Sequence, residues 1–279
     1  MLGLKRILQY GRKDITFKRV LIALYTRINF LFQIATYFLP FGFYASNRRK
    51  IMQLKDINKG KRCFIVATGP SLNKVNFDLL KNEDLISMNR GYVIEDKFNI
   101  SIKYHMCIDN KTQLKQFREN YNDLTHIPTF YDFRLHSLFD KIPNRYFVLT
   151  RFSPRFMSDN GSVFGNGKSV TYTCIQLAYH LGYSEVYLIG KDHSYSTKAK
   201  PGTSVKVGSD TQNHFFKGYY NKKQIYDAPD YSGEEFAYKV ALDHYTKNNS
   251  LIMDATIGGK LDVFPKVKFE DIFKENNEK

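Results

Sequence analysis

CFIVATGPSLNKVNFDLL, residues 63–80, opens on an unbroken apolar run, turns at Thr68-Gly69-Pro70-Ser71 and closes on a helical pattern. A short apolar run ending in a Gly-Pro turn reads as a strand buried on both faces, as in a parallel sheet. The turn carries neither Gly-x-Gly-x-x-Gly nor Gly-Lys-Ser/Thr, so it matches neither familiar phosphate loop. Gly69 still lets a ligand approach the backbone, and Pro70 suits the first position of a helix. Ser71 and Leu72 would then offer free amides to an anion such as phosphate. A plain tight turn fits the same residues.

The pattern repeats downstream. Leu85–Met88 is a second apolar run, ending in Asn89, and YHMCIDN is a third, ending in Asp109-Asn110. THIPTFYD and RYFVLTRF read as further short strands. In GKSVTYTCIQLAYHLGY, Val170, Cys174, Leu177, Ala178 and Leu181 recur at helical spacing, and Gly182 caps the end. SEVYLIGKD is the clearest buried strand after the first; a helix over Glu234–Lys247 and a strand in SLIMDAT follow, then GGKLDVFP. Alternating strands and helices predict a single Rossmann-like α/β domain, doubly wound and mostly parallel, over residues 58–279. Ligands of such sheets bind at the carboxyl ends of the strands. Thr68, Gly69, Pro70, Ser71, Asn89, Asp109, Asn110 and Asp192-His193 all fall at such ends.

Two further stretches carry chemistry. In FGNGKSVTY, Gly165 and Gly167 loosen the backbone, while Lys168 and Ser169 open a helix. This is an anion seat with a cation beside it, or a simple N-cap by Ser169. In LIGKDHSYS, the Asp192-His193 pair fits general acid-base work, a metal ligand or a sugar-hydroxyl clamp, and an imidazole with a structural role fits too. Tyr195 follows. Residues from about 194 to 228 then lack periodicity, yet hold His214, Phe215, Phe216, Tyr219 and Tyr220 in NHFFKGYYNKK. A long polar loop with aromatic residues and a His reads as a lid over a substrate, or as a surface loop pinned by its aromatics.

The net charge is +15 at neutral pH. Residues 1–50 hold ten Lys and Arg against Asp14 alone. A basic segment of this kind points to an anionic surface. Residues 28–47 carry no charge, but Asn29, Gln33, Pro40, Gly42 and Ser46 interrupt their apolar character. The segment 1–57 therefore reads as a basic amphipathic and hydrophobic appendage, open between spanning a membrane, lying on it and packing on the domain. No small-residue cleavage site follows it convincingly, so the expected location is cytoplasmic, peripheral on the inner face of the plasma membrane. Aromatic residues cluster in a block rather than between the basic ones, so no nucleic-acid partner is expected. Cys63, Cys107 and Cys174 are far apart and show no metal spacing; buried reduced thiols and no bound metal are expected.

These residues resemble two related groups. The Gly-Pro-Ser-Leu turn, the strand ending in Asn89 and the core Gly182-Tyr183-Ser184-Glu185-Val186-Tyr187-Leu188-Ile189-Gly190-Lys191-Asp192 are similar to bacterial CMP-sialic-acid-dependent sialyltransferases of lipooligosaccharide synthesis. DHSYS, NHFF and the tail ATIGGKLDVFPKVKFEDIF are closer to the MptE-like group, named for a 6-hydroxymethylpterin diphosphokinase. The resemblance spans about residues 60–273 and implies a GT-A-like sialyltransferase variant of the fold. It implies a glycosyltransferase moving a sialic-acid-like sugar from a CMP-activated or other nucleotide-sugar donor. The acceptor would be a surface glycan or lipid-linked molecule in lipopolysaccharide or capsule synthesis, with no metal cofactor; a homo-oligomer is compatible with it. By the same resemblance Gly69, Pro70 and Ser71 line the nucleotide, Asn89 holds its phosphate or sugar, Ser169 touches the donor and Asp192 helps fix the nucleotide. Tyr195 or a lid tyrosine such as Tyr219 steadies the departing phosphate, and His214, or else His193, is the base. Thr68 stands where those transferases carry Asn. The alternative is a magnesium-dependent transfer of pyrophosphate from ATP to a hydroxymethylpterin.

Overall fold

Arg62–Val66 forms β1, and its alternation sends Cys63 and Ile65 to one face of a sheet and Phe64 to the other. The computed structural model describes residues 17–108, 121, 123–151, 154–157, 161–195, 199–207, 213–220 and 224–274. Asp109 and Asn110 therefore lie outside the described residues. Seven strands join β1 in one sheet: β2 (Asp84–Met88), β3 (Tyr104–Cys107), β4 (Thr129–Asp132), β5 (Arg145–Arg151), β6 (Val163–Gly165), β7 (Glu185–Ile189) and β10 (Leu251–Asp254). The order is β10-β7-β1-β2-β3-β4-β5-β6, and every pairing is parallel. The sheet grows outward from β1 to β6, then the chain returns to lay β7 on the other side of β1. The fold is thus the Rossmann-like α/β sheet expected, with its point of reversal between β1 and β7.

The return crossover is the helix α4 (Val170–His180); the elements described before it include the α-helices α1 (Phe17–Tyr37), α2 (Gly42–Gln53) and the short α3 (Ile94–Phe98). Ser169 caps α4 by accepting from the Thr171 N–H, and Gly182, at φ 88°, ends it in the left-handed region. Cys174, Ile175, Leu177, Ala178 and Leu181 of this crossover are fully buried against Cys63, Ile65, Ile86 and Met106. At about 1.5–3 kcal/mol for each large apolar side chain, this layer dominates the local energetics. Ala237, Tyr238, Ala241 and Tyr245 of α5 (Tyr231–Lys247) extend the same core. On the opposite face Phe64 stacks between Tyr187 and Phe273.

Three local expectations change. The turn after β1 opens a 3-10 helix, Pro70–Lys74, rather than an α-helix. Phe164-Gly165 belongs to the edge strand β6 rather than to a loop. The stretch read as aperiodic contains an antiparallel ribbon, β8 (Ser204–Lys206) with β9 (Ile225–Asp227).

The chain divides into Met1–Ser46 and Asn47–Lys279, where the sequence places the boundary at residue 57. The reason lies in Asn47 and Ile51. Pairing of β5 with β6 begins only at Leu149, so the backbone of Phe147 is open on that side. Asn47 fills the gap: its Nδ2 donates to the Phe147 carbonyl at 2.6 Å and its Oδ1 accepts from the Phe147 N–H at 2.9 Å. Ile51 is fully buried in the core. In the first unit, Gln33 pairs with Asn29 along α1, so these polar residues do not break the helix; it ends ahead of Pro40. Among the described residues no single helix is long and apolar enough to cross a membrane.

Replacing Asn47 by Ala strands a buried N–H and a buried carbonyl on β5. The expected cost is about 2–4 kcal/mol, read as a lower urea midpoint at unchanged m-value.

Candidate functional site

The reversal of strand order brings the ends of β1 and β7 side by side, where an open α/β sheet normally holds its ligand. Here that crevice is laced shut. The Ala67 N–H donates to the Ile189 carbonyl and the Gly69 N–H to the Gly190 carbonyl, both at 2.9 Å. Beyond them the Asp192 carboxylate accepts from the Ser71 hydroxyl at 2.7 Å and from the Ser71 N–H at 3.2 Å. Gly69 is required by proximity: a Cβ there would stand 1.8 Å from Asp192 Oδ2. Burial pushes the Asp192 carboxyl above its usual range, and the Ser71 hydrogen bonds oppose that push. The Ser71 amide, read from sequence as an anion donor, is thus engaged by the protein's own carboxylate.

On the β2 side of this seam the chain builds a second wall from Thr68, Asn89, Arg90 and the loop 213–220. Thr68 binds the loop twice: its carbonyl accepts from the Phe215 N–H at 3.0 Å, and its Oγ1 lies 3.2 Å from His214 Nδ1. The His214 ring stacks on Tyr219 at 3.5 Å with 9° between planes, and Tyr195 stands edge-on to it at 5.8 Å. Arg90 Nη1 donates to the carbonyls of Gly218 and Tyr219, while its guanidinium covers Phe216 at 5.2 Å. Asn73 Nδ2 and Lys97 Nζ both donate to the Phe215 carbonyl. The loop is therefore clamped onto the ends of β1 and β2. Burial pushes the His214 imidazole down to about 3, the contact with Thr68 opposes this and the nearby Arg90 charge adds to it. At neutral pH the ring is uncharged, with a lone pair available on one nitrogen.

The remaining candidates gather on the other side of the seam. His193 Nε2 is 3.0 Å from Glu235 Oε1, its Nδ1 is 3.8 Å from Glu234 Oε2, and Tyr231 stands against its ring at 4.4 Å. Lys191 Nζ donates to Glu234 Oε2 at 2.7 Å, a buried pair. Lys168 is exposed and borders the start of α5, where a Cβ on Gly233 would approach its Cγ at 2.9 Å. Gly167 is a packing residue: a Cβ there would meet Tyr172 at 2.5 Å and Ala237 at 2.7 Å. Ser169 spends its oxygen on the α4 cap. The structure therefore splits the predicted set in two, with His214 and His193 in different chemical surroundings. Asn89, Lys168 and His193 share one trait: each is a non-glycine residue at positive φ, 48°, 65° and 53°.

The sequence places Arg90 beside Asn89 at a strand end without giving it a role, and it passes over Lys97, Asn73, Glu234 and Glu235 as site residues. Arg90 directly follows Asn89 at a strand end, and that position was the available signal. The two glutamates resemble ordinary first-turn helix acids and gave none. A cavity of about 500 Å³ lies at the opposite edge, before β1 and β7, lined by residues including Lys55, Tyr179, His180 and His244. It contains none of the candidate residues. Among the described residues no three His, Cys, Asp or Glu side chains converge as a metal site.

A family model described as "6-hydroxymethylpterin diphosphokinase MptE-like" matches residues 43–198. Among solved structures, the MAf glycosyltransferase from Magnetospirillum magneticum AMB-1 is similar, with a TM-score of 0.50 and 14% identity, covering 81% of this chain. This chain spans 39% of that protein's length, and at such identity the likeness is one of fold. No curated protein matches the chain in sequence.

His214 and the fully buried His105 are both pushed by burial from 6.5 to about 3. The unfolded chain takes up protons that these folded rings refuse, so their stabilisation is complete above pH 6.5 and is lost as pH falls from 6.5 toward 3. Denaturation midpoints should decline across that window, and His214→Gln should make the decline shallower. An unchanged slope would show that the His214 ring is solvated.

Proposed function

This chain belongs to the MptE-like family, and we propose that it transfers a sugar from a nucleotide-activated donor, CMP-linked and sialic-acid-like, to a surface glycan or lipid-linked acceptor. The observation that carries this reading is the clamped loop, which holds a neutral imidazole among tyrosines at the ends of β1 and β2. In the tautomer with its proton on Nδ1, His214 donates to Thr68 Oγ1 and leaves the Nε2 lone pair for chemistry. Nε2 takes the proton of the acceptor hydroxyl, and the oxygen bonds to the anomeric carbon. The bond from that carbon to the donor phosphate breaks, and the nucleotide leaves with the electron pair. The hydroxyls of Tyr195 and Tyr219, on the same wall as His214, oppose the charge on the departing phosphate. Asn89 holds the phosphate or sugar of the nucleotide, while Gly69 gives the turn its close approach to Asp192. Asp192 is a positioning residue, because its carboxylate fixes the Ser71 turn. Thr68, the departure from the transferase pattern, gains a role of its own as the partner of His214. No metal is required where protein donors carry the phosphate charge.

The family description favours one second reading, magnesium-dependent pyrophosphate transfer from ATP to a hydroxymethylpterin. Thermal unfolding with CMP, CDP, UDP and ATP, each with and without Mg²⁺, separates the two. The transferase reading expects stabilisation by CMP without metal, and stabilisation by ATP only with Mg²⁺ would replace it. His214→Ala should retain the melting transition and lose transfer by about 10²-fold or more. Unchanged turnover would move the base to His193.

A further inference from the structure

We propose that the exposed apolar stripe of α1, with the chain break that follows it, is a docking surface for an anionic lipid bilayer. Leu21, Leu24, Tyr25, Ile28, Leu31 and Phe32 are all exposed, Tyr25 and Phe32 by 70% each. At helical spacing these six fall within an arc of about 120°. The other side of the helix differs: Asn29, Phe30, Gln33 and Ile34 are half-buried and Tyr37 is fully buried. The break adds Phe38, Leu39 and Phe41, the last 68% exposed. Soluble monomers rarely leave a contiguous apolar surface of this kind uncovered.

Charge identifies what covers it. Within the unit Met1–Ser46 seven basic residues stand against Asp14 alone, and exposed Arg27 sits on α1 itself. A second copy of the chain would bring the same positive charge to the face, whereas an anionic leaflet complements it. The stripe spans about a third of the helix circumference; no single described helix is long and apolar enough to cross a membrane, and the one pair that passes together, Arg27–Tyr37 with Gly42–Gln53, is bent by 67° at the break rather than straight through a bilayer. Seating in the plane of the headgroups follows, with the apolar side chains in the acyl boundary. The inner face of the plasma membrane is a surface of this chemistry. The inference stands apart from the transferase reading, since every strand-end residue follows Asn47.

The sequence has no Trp, so each introduced Trp is a sole reporter. Phe32→Trp and Phe41→Trp emission should shift to the blue on adding phosphatidylglycerol vesicles and stay fixed with phosphatidylcholine alone. Phe236→Trp, at a 60% exposed site on α5, should not shift with either. The full chain should float with the anionic vesicles, and Leu24→Glu/Leu31→Glu should lower the bound fraction at least about tenfold. Nucleotide-induced thermal stabilisation of that variant should match the original, which separates failure here from failure of the transferase reading. Absence of flotation overturns the proposal, and equal binding to neutral vesicles overturns its charge argument. Self-association abolished by the double substitution, without vesicle binding, would make the stripe an interface between copies.

Discussion

The carboxylate of Asp192 reaches across the point where the sheet reverses direction and is held by the amide and hydroxyl of Ser71. The candidate site residues flank that contact on either side. In an open α/β sheet the reversal is where helices on the two faces leave a cleft, and a ligand ordinarily fills it. Here the cleft between β1 and β7 is closed by backbone bonds and by an acid that has surrendered some solvation to remain there. The turn can make this contact only because residue 69 has no side chain. Closing the centre displaces the accessible groups sideways, into one wall built on Thr68 and Arg90 and another built on His193 and the start of α5.

The fold was legible because buried parallel strands leave a simple trace. CFIVAT and SEVYLIG are continuous apolar runs, and the crossover helix carries both its cap and its left-handed Gly182. The site was legible in part, for the reason that makes the fold legible: strand ends are where polar residues interrupt apolar ones, so Thr68, Asn89 and Asp192 stand out. What escaped was pairing at long range. That Asp192 would spend itself on a residue 121 positions away depends on which strand lies beside β1, and no local pattern encodes that order. The same holds for Arg90 and residues 218–219, and for Asn47 and Phe147. The edge strand β6 was missed because three residues, Val163–Gly165, running straight into Asn166-Gly167 carry too little periodicity to register.

The clamped loop shows how one cation can serve several ends. Arg90 satisfies two loop carbonyls, covers an aromatic ring and adds its field to that of burial in keeping His214 neutral. A lysine in its place would keep the charge but lose the planar group that lies over Phe216 while donating elsewhere. Chemistry and closure are therefore linked. If the loop came away from the strand ends, its imidazole would regain water and with it a greater affinity for protons, so its basicity depends on whether the loop is seated.

Asn89, Lys168 and His193 hold a backbone shape that side chains other than glycine resist, at a cost of roughly 1–2 kcal/mol each, least for Asn. Glycine would adopt all three shapes at ease, so a more stable chain lies a few substitutions away. Such a chain would give up an amide, an amine and an imidazole, each standing at the exit of a different strand. The tension at these three places measures how far the sheet's own rigidity, rather than local preference, decides where its polar groups point.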